Sequence, residues 1–136
     1  MRDFFHTVVV QALTSDGWTI TNDPFTFSVG EVGMRIDLGA EKFIAAEKED
    51  RKIAVEIKTF NGQSPVHDFH AALGQYELYT FAMEEFEPER VVYLAIPKLA
   101  YESLFQRTLI KKIVARRNIK ICLYDPKDVN FILWIN

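Results

Sequence analysis

The chain has 136 residues, 49% of them apolar, and a formal net charge of −3. That length suits one domain over residues 1–136 with a core of its own, and the slightly acidic balance excludes a protein that coats nucleic acid by charge alone, which needs clustered Lys and Arg. The single cysteine, Cys122, excludes an intrachain disulfide; no signal-peptide pattern opens the chain and no run nears the roughly 18 apolar residues of a membrane span, so a cytoplasmic, soluble protein with no membrane partner is expected.

Asp3 is placed to cap a first helix, because Phe5, Val8, Val9, Ala12 and Leu13 recur at helical spacing and Gly17 follows as a stop. Residues 18–21 read as a short strand, turned by Asn22, Asp23 and Pro24. Three strand-like stretches follow, at 32–38, 41–48 and 52–59, the last two joined by a charged turn at Glu49, Asp50 and Arg51. In the first, Val32, Met34, Ile36 and Leu38 share one face while Arg35 and Asp37 share the other. In the third, Ile53, Val55 and Ile57 alternate with Ala54, Glu56 and Lys58, giving one apolar and one chemically loaded face.

Ser64 and Pro65 form a cap-plus-first-turn signal for a helix ending near Glu87, before Pro88. The wholly apolar stretch 91–97 reads as a central strand covered on both faces. A helix over 101–117 and two strands, 120–124 and 129–135, separated by an Asp125-Pro126 turn, complete the pattern. Helix, strands, helix, strand, helix and strands predict an α/β fold: a mixed sheet flanked by helices.

Strand periodicity sends Glu56 and Lys58 to one face and Ile57 to the other. Asp37 precedes Glu56 by nineteen residues on an earlier strand, where pairing within one sheet can bring the two carboxylates together. Two carboxylates suit Mg²⁺ or Mn²⁺, hard ions that prefer oxygen ligands, with Lys58 orienting water or meeting charge on a phosphate. The same residues also suit the exposed half of an amphipathic strand. Gln75 and Tyr79 lie four apart on one helix face, fit to contact a phosphate or a bound water, or simply to pack as a polar residue beside a core aromatic. His67 and His70 lack an acidic partner at a metal-binding spacing, and His6 stands alone on the first helix. Cys122 sits in an apolar strand pattern as a small hydrophobe. Lys111, Lys112, Arg116 and Arg117 form the one basic cluster, either a solvated helix face or a phosphate contact. No phosphate-binding GxxxxGK[ST] loop and no GxSxG elbow is present.

Asp37, then Glu56-Ile57-Lys58, then the Gln75 to Tyr79 QxxxY pattern together resemble a PD-(D/E)XK domain with the helix motif of RecB-type nucleases, Ile36 standing where the motif is named for proline. A longer resemblance runs through Phe5-His6, Asp16-Gly17-Trp18-Thr19-Ile20, Asp23-Pro24, Ile36-Asp37-Leu38-Gly39-Ala40-Glu41-Lys42, Ile53-Ala54-Val55-Glu56-Ile57-Lys58, Ala72-Leu73-Gly74-Gln75-Tyr76, Glu87-Pro88-Glu89-Arg90 and the closing Trp134-Ile135-Asn136. On these residues the chain resembles the XisH family, the fdxN-element excision controlling factors of cyanobacteria. The resemblance implies a restriction-endonuclease-like αβββαβ core and a role in programmed DNA excision during heterocyst differentiation. It further implies DNA, an XisI-like protein and a site-specific recombinase as partners. Carried over to this sequence, Asp37 and Glu56 become metal ligands, Lys58 and Gln75 catalytic groups, Tyr79 a supporting residue, and His6 a further position able to touch the metal. Two activities follow as expectations: a Mg²⁺-dependent DNA phosphodiesterase, plausible as a homodimer, or a non-catalytic accessory factor that binds DNA or an XisI-like partner and licenses a recombinase. A broader expectation is a component of a mobile-element or defence module.

Overall fold

In the computed structural model, which describes residues 3–135, a six-stranded mixed sheet is sandwiched between helices. The elements are α1 (Phe4–Ser15), β1 (Thr19–Asn22), β2 (Phe25–Val29), β3 (Val32–Ile36), β4 (Leu38–Ile44), β5 (Glu49–Ile57), α2 (Pro65–Phe86), β6 (Arg90–Pro97), α3 (Lys98–Glu102), a single 3₁₀ turn, α4 (Thr108–Arg116), β7 (Ile121–Asp125) and β8 (Asp128–Ile135). Sheet order is β1-β4-β5-β6-β7-β8. β5, β6 and β7 run parallel, and the remaining neighbours are antiparallel. Asn136, last of the closing tripeptide quoted above, lies outside the described residues.

The helix starts follow the sequence. The Asp3 carboxylate accepts the His6 N–H at 2.7 Å, and the Ser64 hydroxyl accepts the His67 N–H at 3.3 Å ahead of Pro65. β6 is the expected central strand, and alternation along it feeds two separate cores. Val92, Leu94 and Ile96 meet α2 residues such as Phe69, Ala72 and Met83; Tyr93 and Ala95 face the side covered by Val8, Val9 and Leu13 of α1. Asp16, just beyond α1, fastens that helix to the sheet by accepting the indole N–H groups of Trp18 and Trp134, each at 3.1 Å.

The stretch expected as one strand over 32–38 is two strands that part at Asp37. In an unbroken strand Ile36 and Leu38 would share a face. Here Ile36 enters the α2-side core and Leu38 the α1-side core, both fully buried. The cause is β2, which follows the turn at Asn22, Asp23 and Pro24. β2 and β3 form a separate two-stranded ribbon in which Phe25 pairs with Ile36 and Val29 with Val32. Phe25 and Phe27 of this ribbon pack on Phe86 of α2, so the ribbon's apolar side is satisfied by the helix rather than by the main sheet. Phe25 also rests on Gly39: a Cβ there would lie 2.6 Å from its ring.

Three further expectations shift. The β4–β5 turn falls at residues 45–48, with Lys48 in the left-handed region (φ 55°), so that Glu49, Asp50 and Arg51 join β5 and pair with Ile44, Phe43 and Lys42. β5 does not keep one polar open face, since Ile53 to Glu56 are all buried as helices cover both sides. The helix expected over 101–117 is broken into α3, the 3₁₀ turn and α4, because Leu104 and Phe105 dip into the α2-side core where a continuous helix would have held them at the surface. α4 keeps Ile110 inward and Lys111, Lys112, Arg116 and Arg117 exposed.

Arg90, at the start of β6, is almost fully buried among polar partners. It ion-pairs with Glu87 at 2.6 Å, donates to the Ile53 carbonyl at 2.9 Å, and stacks its guanidinium 4.6 Å from the Phe25 ring centre. It therefore joins the β2–β3 ribbon to the main sheet through a cation that burial makes costly to leave unpaired. Gly39→Ala should destabilise the fold by about 1–3 kcal/mol through overpacking against Phe25. Urea unfolding followed by far-UV circular dichroism measures this, and an unchanged midpoint would mean that the ring does not rest on Gly39.

Candidate functional site

β4 begins at Leu38, which pairs with Val55, so a continued ladder would set Ile36 opposite Ile57. Ile36 has left to pair with Phe25, and the backbone edge of Ile57 loses its strand partner. The Asp37 side chain takes the vacated place: its Oδ2 accepts the Ile57 N–H at 2.8 Å. Reciprocally, the Asp37 N–H donates to Oε1 of Glu56 at 3.2 Å. Each carboxylate is thus anchored by the other residue's strand, and the break in β3–β4 creates the anchorage.

Lys58 stands at the end of this edge, with Nζ 3.4 Å from Oε2 of Glu56. Its backbone is fixed on two sides. The N–H donates to the Ala95 carbonyl at 2.9 Å, and its own carbonyl accepts the Tyr124 hydroxyl at 2.9 Å. The parallel ladder would next direct residue 97 to that carbonyl, but Pro97 has no N–H, and Tyr124 supplies the donor instead. The sequence reading had given Tyr124 no such role, because only the tertiary fold brings β7 beneath Lys58.

Glu56 is 7% exposed. Burial first, and the neighbouring negative Asp37 second, raise its carboxyl to about 7, against the opposing pull of Lys58. Tyr79 on α2 feels the same centre. Its phenol is raised chiefly by burial and then by the charges of Glu56 and Asp37, while Arg35 draws it down. One helical turn earlier, Gln75 presents a buried Oε1 with no hydrogen-bond partner in the protein. Asp37, Glu56 and Lys58 are therefore brought together, with Tyr79 within their field and Gln75 on the same helical stripe.

His6 is placed differently. Its Nε2 lies 2.9 Å from Oδ1 of Asp23, a contact that becomes an ion pair when the ring is protonated. Among the described residues no group of three or more His, Cys, Asp or Glu side chains is gathered as a metal cage. His67 and His70 are exposed, their rings 6.4 Å apart. Cys122 is buried and its thiol is pushed up to about 12, which suits a packed hydrophobe and not a nucleophile. Among the described residues no helix is long and apolar enough to cross a membrane.

The two carboxylates fit a hard divalent cation by donor chemistry: they are oxygen ligands, close-set, and burial together with their mutual repulsion raises the Glu56 carboxyl, a cost that a bound cation would offset. A carboxyl raised in the folded state above its usual value near 4.5 has the native protein binding the extra proton. The stability it lends is full below about 4.5 and is lost as pH rises toward 7. Glu56→Gln should therefore gain on wild type across that window, by on the order of 2–3 kcal/mol at its upper end. Paired denaturant titrations at pH 4.5 and 7.5 test this, and an equal difference at both pH values would refute the raised carboxyl.

Comparison with known proteins places this geometry in a family. The XisH protein family matches residues 1–132. An XisH family protein from Nostoc punctiforme PCC 73102 is 43% identical, with 98% of this chain and 100% of that one covered and a TM-score of 0.89. An fdxN element excision controlling factor protein from Anabaena variabilis is likewise 43% identical, with 99% and 100% covered and a TM-score of 0.89. No curated protein matches the chain. With the family match spanning nearly every residue and two solved structures superposing over the whole sheet, the chain belongs to the XisH family.

Proposed function

We propose that this protein is an excision controlling factor that acts on DNA as a divalent-metal-dependent phosphodiesterase, in the programmed rearrangement implied by its relative from Anabaena variabilis. The observation that carries this reading is the reciprocal Asp37–Glu56 anchorage with Lys58 3.4 Å from Glu56. The order α1, β1, β4, β5, α2, β6 supports it further. With the β2–β3 ribbon set aside, that succession is compatible with the αβββαβ core expected of a PD-(D/E)XK nuclease.

Asp37 and Glu56 would hold Mg²⁺ or Mn²⁺, which when bound supplies Lewis-acid stabilisation of a phosphate and a more acidic water. The protein's own groups do the rest. The Lys58 ammonium, held by its backbone at both N–H and carbonyl, faces charge that builds on a phosphate oxygen or steadies an attacking water. The unpartnered amide oxygen of Gln75 accepts from such a water, and Tyr79, one turn further along α2, packs against the core. His6, whose ring nitrogen lies 2.9 Å from Asp23, is a further candidate ligand.

A second reading, a non-catalytic factor that binds DNA or an XisI-like partner and licenses a recombinase, draws on the net charge of −3, low for a protein that grips duplex DNA unaided. Calorimetric titration of Mn²⁺ into wild type, Asp37→Asn and Glu56→Ala, followed by incubation with supercoiled plasmid, separates the two. Asp37→Asn keeps an acceptor for the Ile57 N–H and removes only the charge, so it should fold as wild type. Binding and nicking by wild type, with both lost in each variant and nicking alone lost in Lys58→Met, is the expected outcome. Wild type that binds no Mn²⁺ at millimolar concentration sinks the phosphodiesterase and leaves the accessory factor.

A further inference from the structure

Beyond the carboxyl ends of β5, β6 and β7 the chain leaves a crevice of about 590 Å³. In sheets with parallel strands, ligands favour this location, and the volume lies within the roughly 300–1,000 Å³ of small-ligand sites. None of the groups assigned above lines it, yet Thr59, Phe60 and Asn61, the residues directly after Lys58, form one of its walls.

That wall is a held loop. The Tyr124 hydroxyl fixes the Lys58 carbonyl, and the Thr59 hydroxyl donates to Oδ1 of Asn61 at 2.8 Å. Phe60 between them adopts the left-handed region (φ 54°), a conformation that costs a bulky side chain energy and persists only where its surroundings impose it. Its ring stands edge-on to Phe105 at 5.3 Å. Phe5 of α1 forms another part of the lining, itself edge-on to Tyr124. Leu99, part of the lining, is 75% exposed, an outlay of apolar surface beside a concavity. Two exposed lysines line the crevice, Lys98 at the start of α3 with its ammonium 5.4 Å from the Phe131 ring centre and Lys127 in the β7–β8 turn, and Glu102 and Asp125 add acceptors beside them.

Aromatic and apolar faces with cations set among them are the chemistry of unpaired nucleotides, whose bases stack while their phosphates are neutralised. A bare phosphodiester rail would meet repulsion from Glu102 and Asp125, whereas a base turned toward them offers exocyclic amines to accept. We propose that this crevice receives an unpaired nucleotide of a DNA strand, its base against Phe5, Phe60 and Leu99 and its phosphates on Lys98 and Lys127. The flanking phosphate is thereby led toward Lys58. The protein is then selective for gapped, tailed or branched DNA over intact duplex, which deepens and rests on the phosphodiesterase reading above.

The test is fluorescence anisotropy with a labelled single-stranded oligonucleotide, a gapped duplex and an intact duplex, using wild type, Leu99→Asp, Lys127→Glu and Phe60→Ala. Circular dichroism and Mn²⁺ calorimetry are run on each. The two exposed-site variants guard against Phe60→Ala failing to fold. Wild type should prefer the single strand and the gap, and each folded variant should lose roughly five- to a hundredfold of that affinity with Mn²⁺ binding unchanged. Folded variants that bind the single strand like wild type, or wild type that binds intact duplex as tightly as gapped, overturn the proposal whatever the metal result. Crevice-dependent strand binding without Mn²⁺ binding or nicking upholds the crevice and removes the metal site.

Discussion

A carboxylate buried in a sheet must find hydrogen-bond donors or take up a proton, and Glu56 does some of each. It accepts the Asp37 N–H, leans on Lys58, and is still raised to about 7, first because it is buried and then because Asp37 brings a second negative charge beside it. This unfavourable pairing organises the surrounding edge. Asp37 can occupy it only because β3 departs from the sheet, and β3 departs because it has β2 to pair with and Phe86 of α2 to cover the ribbon. The ribbon is tied down in turn by Phe25 on Gly39 and on the Arg90 guanidinium.

Backbone needs and site chemistry are therefore the same set of bonds. The orphaned Ile57 N–H is satisfied by Asp37, and the Lys58 carbonyl, facing a proline in the ladder, is satisfied by Tyr124. Side chains at strand ends held in this way are oriented by the fold itself. Clustering two carboxylates is unfavourable for folding in isolation and becomes useful when positive charge is supplied. Among the described residues Lys58 is the cation paired with Glu56, while Arg90 is committed to Glu87 and to backbone carbonyls.

Much of this was legible in the residues. Capping by Asp3 and Ser64, the proline opening α2, the almost wholly apolar run that follows Arg90 in β6 and the two final strands follow from local rules that tertiary contacts leave intact. Glu56 and Lys58 share an edge because strand parity is fixed by covalent geometry, and Gln75 and Tyr79 share a stripe because helical parity is. The strand break at Asp37 was not legible, because 32–38 alternates well enough to read as one strand and β2, with its apolar Phe25 and Phe27, follows a turn signal that masks it. The interruption at residues 103–107 was hidden for a related reason: Leu104 and Phe105 keep helical spacing, and only the depth of the α2-side core draws them inward.

By itself the sequence determined the alternation of helices and strands and the pairing of Glu56 with Lys58 on one strand edge, since each depends on periodicity or on residue type. Tertiary structure alone decided that Asp37 stands in a gap between strands, that Ile36 and Leu38 enter opposite cores, that His6 turns to Asp23, and that a crevice opens beyond β5 to β7. These depend on which strand pairs with which, a choice made by burial summed over contacts distant in the chain, and no local pattern of residues carries that sum.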